Sequence, residues 1–396
     1  MKIALVNSRK PRQFHSDEPW LRATMALGYA IGRAGHTLCA SVGTIGYDAA
    51  LFGAAMGGGK IEAFVPPDET IKLAEYLPPG AATNLVAVRP LPLGDVDAER
   101  DRVVIHAADL VIAVAIRSGG HMEALLRARF DAGQRVQAVM PAADGPIWRG
   151  TRNLLTMGIP PVDEQLWQQA REQMESRRLT GANEFDWTSC FPTWRDAPLG
   201  TPTLAHFTRG ANGAWPGQTY AEYLDDLWHG GMRARRDAPA ALWRILQSSL
   251  LKASGRLIRG GFPVVSFTAA SPERLDELHR YRPHLVRWDF EPWGIIFDRD
   301  WLAKREARPV KYLPGKSFAR LPPAEQPFFQ KHEPPKCDYS MEEEWRVLGD
   351  LDFSDAPKDA VRLVLGSCSA DFQGLRGVST SCPGSCGGSS SPAASL

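Results

Sequence analysis

The 396-residue sequence contains no long apolar run: its N-terminal stretch Ile3 to Val6 is far too short for a membrane span or a signal peptide. It therefore reads as a leaderless, cytoplasmic chain with no membrane partner. Charge of one sign is also missing. With 46 Lys+Arg against 45 Asp+Glu the net charge is +1, which argues against a broadly basic, nucleic-acid-coating surface and leaves room only for local phosphate patches. Cysteine is scarce. The six cysteines form no framework, because Cys39 lies in a predicted core strand, Cys190 and Cys337 are isolated, and Cys368, Cys382 and Cys386 fall in or beside a Ser/Gly/Pro-rich ending. Only Cys382 and Cys386 approach the short paired spacing of a zinc site, and His15, His36 and His106 have no ligand spacing to one another, so no metal is expected. No repeat of solenoid length is present. Tryptophan is nearly absent from the first third: of twelve, only Trp20 precedes residue 145. That shift, beside the loop-forming Ala142-Ala143-Asp144-Gly145-Pro146, divides the chain into a domain at 1–145, a connector at 146–199, a second domain at 200–366 and a low-complexity tail at 367–396.

Strand and helix signals alternate through the first domain. Lys2 to Val6 is a short apolar run, Leu21 to Ala34 carries helix-spaced apolar residues, and Gly35 ends that helix before a strand at Thr37 to Ala40. A helix from about Gly46 to Met56 precedes a strand at Ile61 to Val65. A strand at Asp109 to Ala115, a helix at His121 to Ala132 and a last strand at Arg135 to Met140 follow. Strands separated by helices call for right-handed crossovers, so the expected fold is α/β: a doubly wound, Rossmann-like parallel sheet.

In such sheets ligands sit beyond the carboxyl ends of the strands, where the strand order reverses. The turns at Asn7-Ser8-Arg9, Ser41-Val42-Gly43-Thr44 and Arg117-Ser118-Gly119-Gly120 fall at those ends. Each is small and polar, and the last opens a helix. The amides of that helix's first turn are expected to face outward beside the positive end of its dipole, with Arg117 and Ser118 as further donors. The candidate nucleotide-binding residues are therefore Ser8, Arg9, Gly43, Thr44, Arg117, Ser118, Gly119 and Gly120. A tight turn that binds nothing is the plain alternative.

The blocks Asn7-Ser8-Arg9, Gly35 to Ser41, Gly46-Tyr47-Asp48-Ala49-Ala50, Gly57-Gly58-Gly59, and Ala108-Asp109 through Ser118-Gly119 to Gly133 and Val139 occur in an order that resembles the DNA-processing protein A (Smf) family. That family's Rossmann-like domain belongs to a wider group with the "Lonely guy" nucleotide hydrolases and nucleotide-sensing domains of bacterial defence proteins. The resemblance covers roughly residues 1 to 142 and implies binding of a nucleotide or single-stranded nucleic acid. Phe52 stands where those proteins usually carry histidine, and Val42 replaces a glycine. Leu126 occupies the place of the hydrolases' glutamate, and Glu123 comes too early, so their hydrolytic activity is not implied.

The second module reads as a separate α+β domain with a largely antiparallel sheet. Strands are expected at Thr203 to Arg209, Pro263 to Thr268, Trp293 to Phe297, Pro309 to Tyr312 and Glu344 to Val347, with helices at Tyr220 to Leu227, Ala240 to Leu251 and Glu273 to Tyr281. His206 with Thr208, Ser266 with Thr268, and Glu344 with Arg346 each share a strand face, so one polar cleft is permitted. The bland alternatives are a hydrogen-bonded strand histidine and an ion pair between Glu344 and Arg346. Residues 200 to 365 resemble abortive-infection-type bacterial domains and, in outline, ADP-ribosyltransferases. That resemblance implies NAD as cofactor, His206 and Glu344 as catalytic residues, and Thr208, Ser266 and Thr268 lining a ribose pocket. A carboxylate beside the ribose would stabilise the oxocarbenium-like sugar formed as nicotinamide leaves.

The function expected is a nucleotide or DNA sensor coupled to an ADP-ribosyl-transferring effector, acting on a protein target in phage defence or DNA metabolism. A homo-oligomer fits such a role. Whether the second domain is an enzyme stays open. The alternatives are a non-enzymatic single-strand-binding recombination mediator and a sensor that recruits a partner protein.

Overall fold

A computed structural model of the chain describes residues 1–8, 18–66, 70–91, 96–141, 145–180, 190–270, 278, 281–282, 287–288 and 290–366. Arg9, the segment read as a helix at Glu273 to Tyr281 and the tail from 367 lie outside these residues wholly or almost so. The chain forms two compact units: residues 1–183 with 210–241, and 184–209 with 242 onward. The connector helices Arg149–Thr156 and Glu164–Thr180 and the helix Tyr220–His229 thus belong to the first unit.

In the first unit the strands β1 (Lys2–Val6), β2 (Thr37–Ser41), β3 (Lys60–Val65), β4 (Leu85–Pro90), β5 (Leu110–Ala113) and β6 (Arg135–Ala138) form one parallel sheet in the order β4-β3-β2-β1-β5-β6. Four interior strands read as unbroken buried apolar or small runs, as a sheet covered on both faces requires. The interior charge at Glu62 is the exception. On one face pack α1 (Pro19–Arg33) and α2 (Ile45–Met56), and the return crossover α3 (Val96–Ala107) lies against β1, β2 and β3 on the other; α4 (His121–Asp131), α5 (Arg149–Thr156) and α6 (Glu164–Thr180) follow in the chain. The chain winds outward from β1 to β4 and returns to β5. The order therefore reverses between β1 and β5, which is where such a fold opens a crevice.

Glycine sets the closeness of α1 and α2. A Cβ at Gly53 would lie 2.1 Å from the Met25 carbonyl oxygen, and one at Gly28 would lie 2.5 Å from that of Ala50. The block Gly57-Gly58-Gly59 serves the same contact, since a Cβ at Gly59 would meet Gly32 Cα at 2.4 Å. The helix α7 (Tyr220–His229) opens on a capping box at Thr219 and Glu222 and buries Tyr223, Leu224, Leu227 and Trp228 in the first unit's core.

The second unit holds a six-stranded antiparallel sheet. With β7 (Thr203–Phe207), β8 (Val264–Thr268), β9 (Trp293–Asp298), β10 (Arg308–Pro309), β11 (Glu344–Leu348) and β12 (Val361–Leu365), its order is β10-β11-β8-β7-β9-β12. The fold class is thus a Rossmann-like parallel α/β unit followed by a separate antiparallel one.

Candidate anion-binding crevice

Asn7 and Ser8 tie the carboxyl end of β1 to the turn after β5 and to Thr24 of α1. The Ser8 amide donates to the Ala115 carbonyl at 3.0 Å, and its Oγ accepts from the Arg117 amide at 2.9 Å. Asn7 accepts from the Ala115 amide through Oδ1 at 3.3 Å and donates through Nδ2 to Thr24 Oγ1 at 3.1 Å. A Cβ at Gly46, in the first turn of α2, would come within 3.3 Å of Asn7 Cβ. Ser8 thus meets the turn that carries Arg117, Ser118, Gly119 and Gly120, and the turn of Gly43 and Thr44 leads into α2, whose Gly46 lies against Asn7, while Arg9 lies outside the described residues. The turn after β5 is pinned from beneath. Thr151 Oγ1 accepts from the Ile116 amide at 2.9 Å and donates to the Val114 carbonyl at 3.2 Å, and Asn153 Nδ2 donates to Ser118 Oγ at 3.0 Å.

The helix amides are not all open, and here the sequence expectation is corrected. The Gly119 amide donates to Glu123 Oε2 at 2.5 Å, so the carboxylate at the third position of α4 occupies one donor of the anion turn. Burial alone would raise Glu123's carboxyl; bonds from Asn153, Gly119 and Arg127 outweigh that and hold it below the ordinary carboxylate range. At α2 the Gly43 amide donates to Asp48 Oδ1 at 2.9 Å, and Tyr220 Oη donates to Asp48 Oδ2 at 2.8 Å. Asp48 is only 1% exposed. Each helix thus carries an acid of its own in the first turn, where the dipole favours negative charge. Among the described residues no hydrogen bond engages the amides of Ser118 and Gly120 or the exposed Arg117 guanidinium. These three groups keep their donors free of protein partners among the described residues.

The second unit does not assemble its expected cleft. Register places Glu344 opposite Thr268, and Thr268 opposite Ala205, so Glu344, Arg346, Ser266 and Thr268 share one face while His206 lies on the other with Phe267. The His206 and Phe267 rings meet edge to face at 5.9 Å, and His206 Nδ1 bonds the Ser266 carbonyl at 2.9 Å. Burial pulls the His206 imidazole down to about 4, which keeps it neutral near pH 7. Thr208 Oγ1 donates to the Trp293 carbonyl, and Thr268 Oγ1 donates to the Glu342 carbonyl. Glu344 is committed as well. Its two oxygens accept from Arg346 Nε and Nη2, each at 2.8 Å, and Arg346 also donates to the Pro327 and Phe329 carbonyls and to Gln330. These residues do not fit the NAD site that the resemblance implied, because the histidine and the carboxylate flank opposite sides of the sheet.

No protein-family model and no curated protein matches the chain. Solved structures similar to it include DNA processing protein A from Streptococcus pneumoniae, 17% identical over 43% of this chain and 60% of that one, with a TM-score of 0.33. This chain therefore spans less than two thirds of that protein. Another is DNA processing protein A from Helicobacter pylori, described for its single-stranded DNA binding mode: 14% identity, 44% and 81% coverage, TM-score 0.33. A third is the molybdenum cofactor carrier protein of Chlamydomonas reinhardtii, with 18% identity, 44% and 98% coverage and a TM-score of 0.31. At these values nothing functional transfers from them.

Sequence reasoning missed Asp48, Glu123, Thr151, Asn153 and Tyr220 as parts of the site. Only Glu123 carried a local signal: it stands three residues after the N-cap Gly120, the place of a glutamate that turns back onto a helix start. Among the described residues no helix is long and apolar enough to cross a membrane, and no group of three or more His, Cys, Asp or Glu is placed to hold a metal ion.

Proposed function

We propose that the first unit binds a phosphate-bearing ligand, a nucleotide or the backbone of a nucleic-acid strand, at the switch point between β1 and β5. The observation that carries this reading is the joining of the β1 and β5 end turns through Asn7 and Ser8, with Gly46 of α2 close to Asn7 and Arg117 exposed and without a partner among the described residues. The internal carboxylates narrow the ligand's place. Glu123 and Asp48 repel an anion from the Gly119 and Gly43 amides, so the phosphate belongs at Ser118, Gly120 and Arg117.

An ADP-ribosyl-transferring second unit is not part of the proposal, because Glu344 has no carboxylate oxygen free of Arg346. The test is binding of nucleotides and of a labelled single-stranded oligonucleotide to the full chain and to Arg117→Gln. Loss of one charge-assisted contact is expected to weaken binding by about tenfold or more. Unchanged affinity in the variant would sink the assignment. A salt series separates the ligands, since strand binding falls steeply with salt and binding of a single nucleotide does not.

A further inference from the structure

A second polar site lies on the face of the sheet, away from the crevice, between α3 and strands β1 to β4. Its centre is Glu62, which is 2% exposed in a strand whose other side chains from Ile61 to Val65 are apolar. Glu62 Oε2 pairs with Lys2 Nζ at 2.7 Å, and Oε1 accepts from Arg89 Nε at 2.5 Å. Lys2, Glu62, Phe64, Arg89, Arg102 and His106 are among the residues lining an open cavity of about 560 Å³, within the usual range for small-molecule sites.

Stability does not account for this cluster. A buried ion pair contributes little beyond what apolar packing of the same volume would, so an otherwise apolar strand gains nothing from placing a carboxylate there. What Glu62 does is orient. It holds Arg89 by Nε, leaving the two terminal nitrogens of that guanidinium to the cavity, and it holds one hydrogen of Lys2. Arg102, paired through Nη1 with Glu99 at 3.0 Å, and the exposed His106 complete a rim with more cations than carboxylates. Phe64, Val103 and Ala107 supply an apolar floor.

We propose that this cavity binds a small organic anion, a carboxylate or phosphate ester on a flat apolar body. The anionic group meets Arg89 and Arg102 and the body lies on Val103 and Ala107. Glu62 is a positioning residue that acts through Arg89 and Lys2.

The test is calorimetric titration of the full chain with benzoate and with phenyl phosphate, which separates the two sources of the anion. At least one is expected to bind, with affinity lowered about tenfold or more in Arg89→Gln and in Arg102→Gln, as loss of a charge-assisted contact requires. Both residues are exposed, so folding is retained, and a thermal melt confirms it. Glu62→Gln is expected to weaken binding with little loss of melting temperature. The proposal is overturned if neither probe binds at about 1 mM, the affinity equivalent to some 4 kcal/mol, or if binding survives both arginine variants.

Discussion

At Glu344 two roles compete for one carboxylate, and the partner decides between them. A catalytic carboxylate needs an oxygen facing substrate, whereas Glu344 spends both on Arg346, a guanidinium 1% exposed that also ties down the backbone carbonyls of Pro327 and Phe329. Breaking a buried pair leaves a charge without compensation, at a cost of about 3 kcal/mol or more. Glu344→Gln is therefore expected to lower the melting temperature of the second unit by several degrees, since each kcal/mol shifts a unit of this size by roughly 2–4 °C. Differential scanning calorimetry checks this. A variant that melts like the parent protein would contradict the structural role. At the same scale Asp48 and Glu123 show why the turns were expected to present more open amides than they do. Each acid was visible in the sequence, but its target is an amide whose orientation depends on the strand end beneath it.

At the scale of elements, what was legible followed from periodicity and what was missed followed from tertiary pairing. The runs Lys2 to Val6, Thr37 to Ala40, Ile61 to Val65 and Asp109 to Ala115 were readable because interior parallel strands are apolar on both faces. The edge strand β4 and the helix α3 escaped notice. β4 sits between prolines and exposes most of its side chains, so it carries no burial pattern, and α3 mixes acidic, basic and apolar residues without a clear apolar stripe. In the second unit β7, β8, β9 and β11 were legible, the edge strand β12 was not, and neither was the register. Alternation says which residues of one strand share a face, while only pairing says that His206 and Glu344 do not. The glycine blocks were read as a family mark, and their physical work is the α1–α2 crossing. Gly53→Ala would force a methyl into the Met25 carbonyl, a backbone atom that cannot step aside, so a loss of about 1–3 kcal/mol is expected. Gly35→Ala is the matched control for a glycine with open space: it meets no atom, and only its positive φ resists the change. Chemical denaturation of both variants checks the order. Equal losses would mean that helix closeness is not what Gly53 serves.

For the whole molecule, the division of the chain between units is the feature a linear reading could not supply. Residues 210–241 follow a strand of the second unit yet complete the first, where Trp228 packs its ring 5.6 Å from Tyr29 and 6.3 Å from Phe52, and Tyr220 holds Asp48. Tyr223, Leu224, Leu227 and Trp228 are buried there, each contributing roughly 1.5–3 kcal/mol by leaving water. Their sum is comparable with the entire stability of an ordinary domain, about 5–15 kcal/mol. A fragment of residues 1–200 therefore keeps every strand of the parallel sheet and loses the layer over α2. It is expected to show no cooperative melt and to aggregate through the uncovered face of Phe52 and Tyr29. A chain in which residues 1–183 are joined through a flexible Gly/Ser linker to 210–241 is expected to melt cooperatively, as followed by circular dichroism. If the 1–200 fragment melted as sharply and at the same temperature, α7 would be an ornament on the first unit, and the Tyr220 bond to Asp48 would have no part in holding the β2–α2 turn.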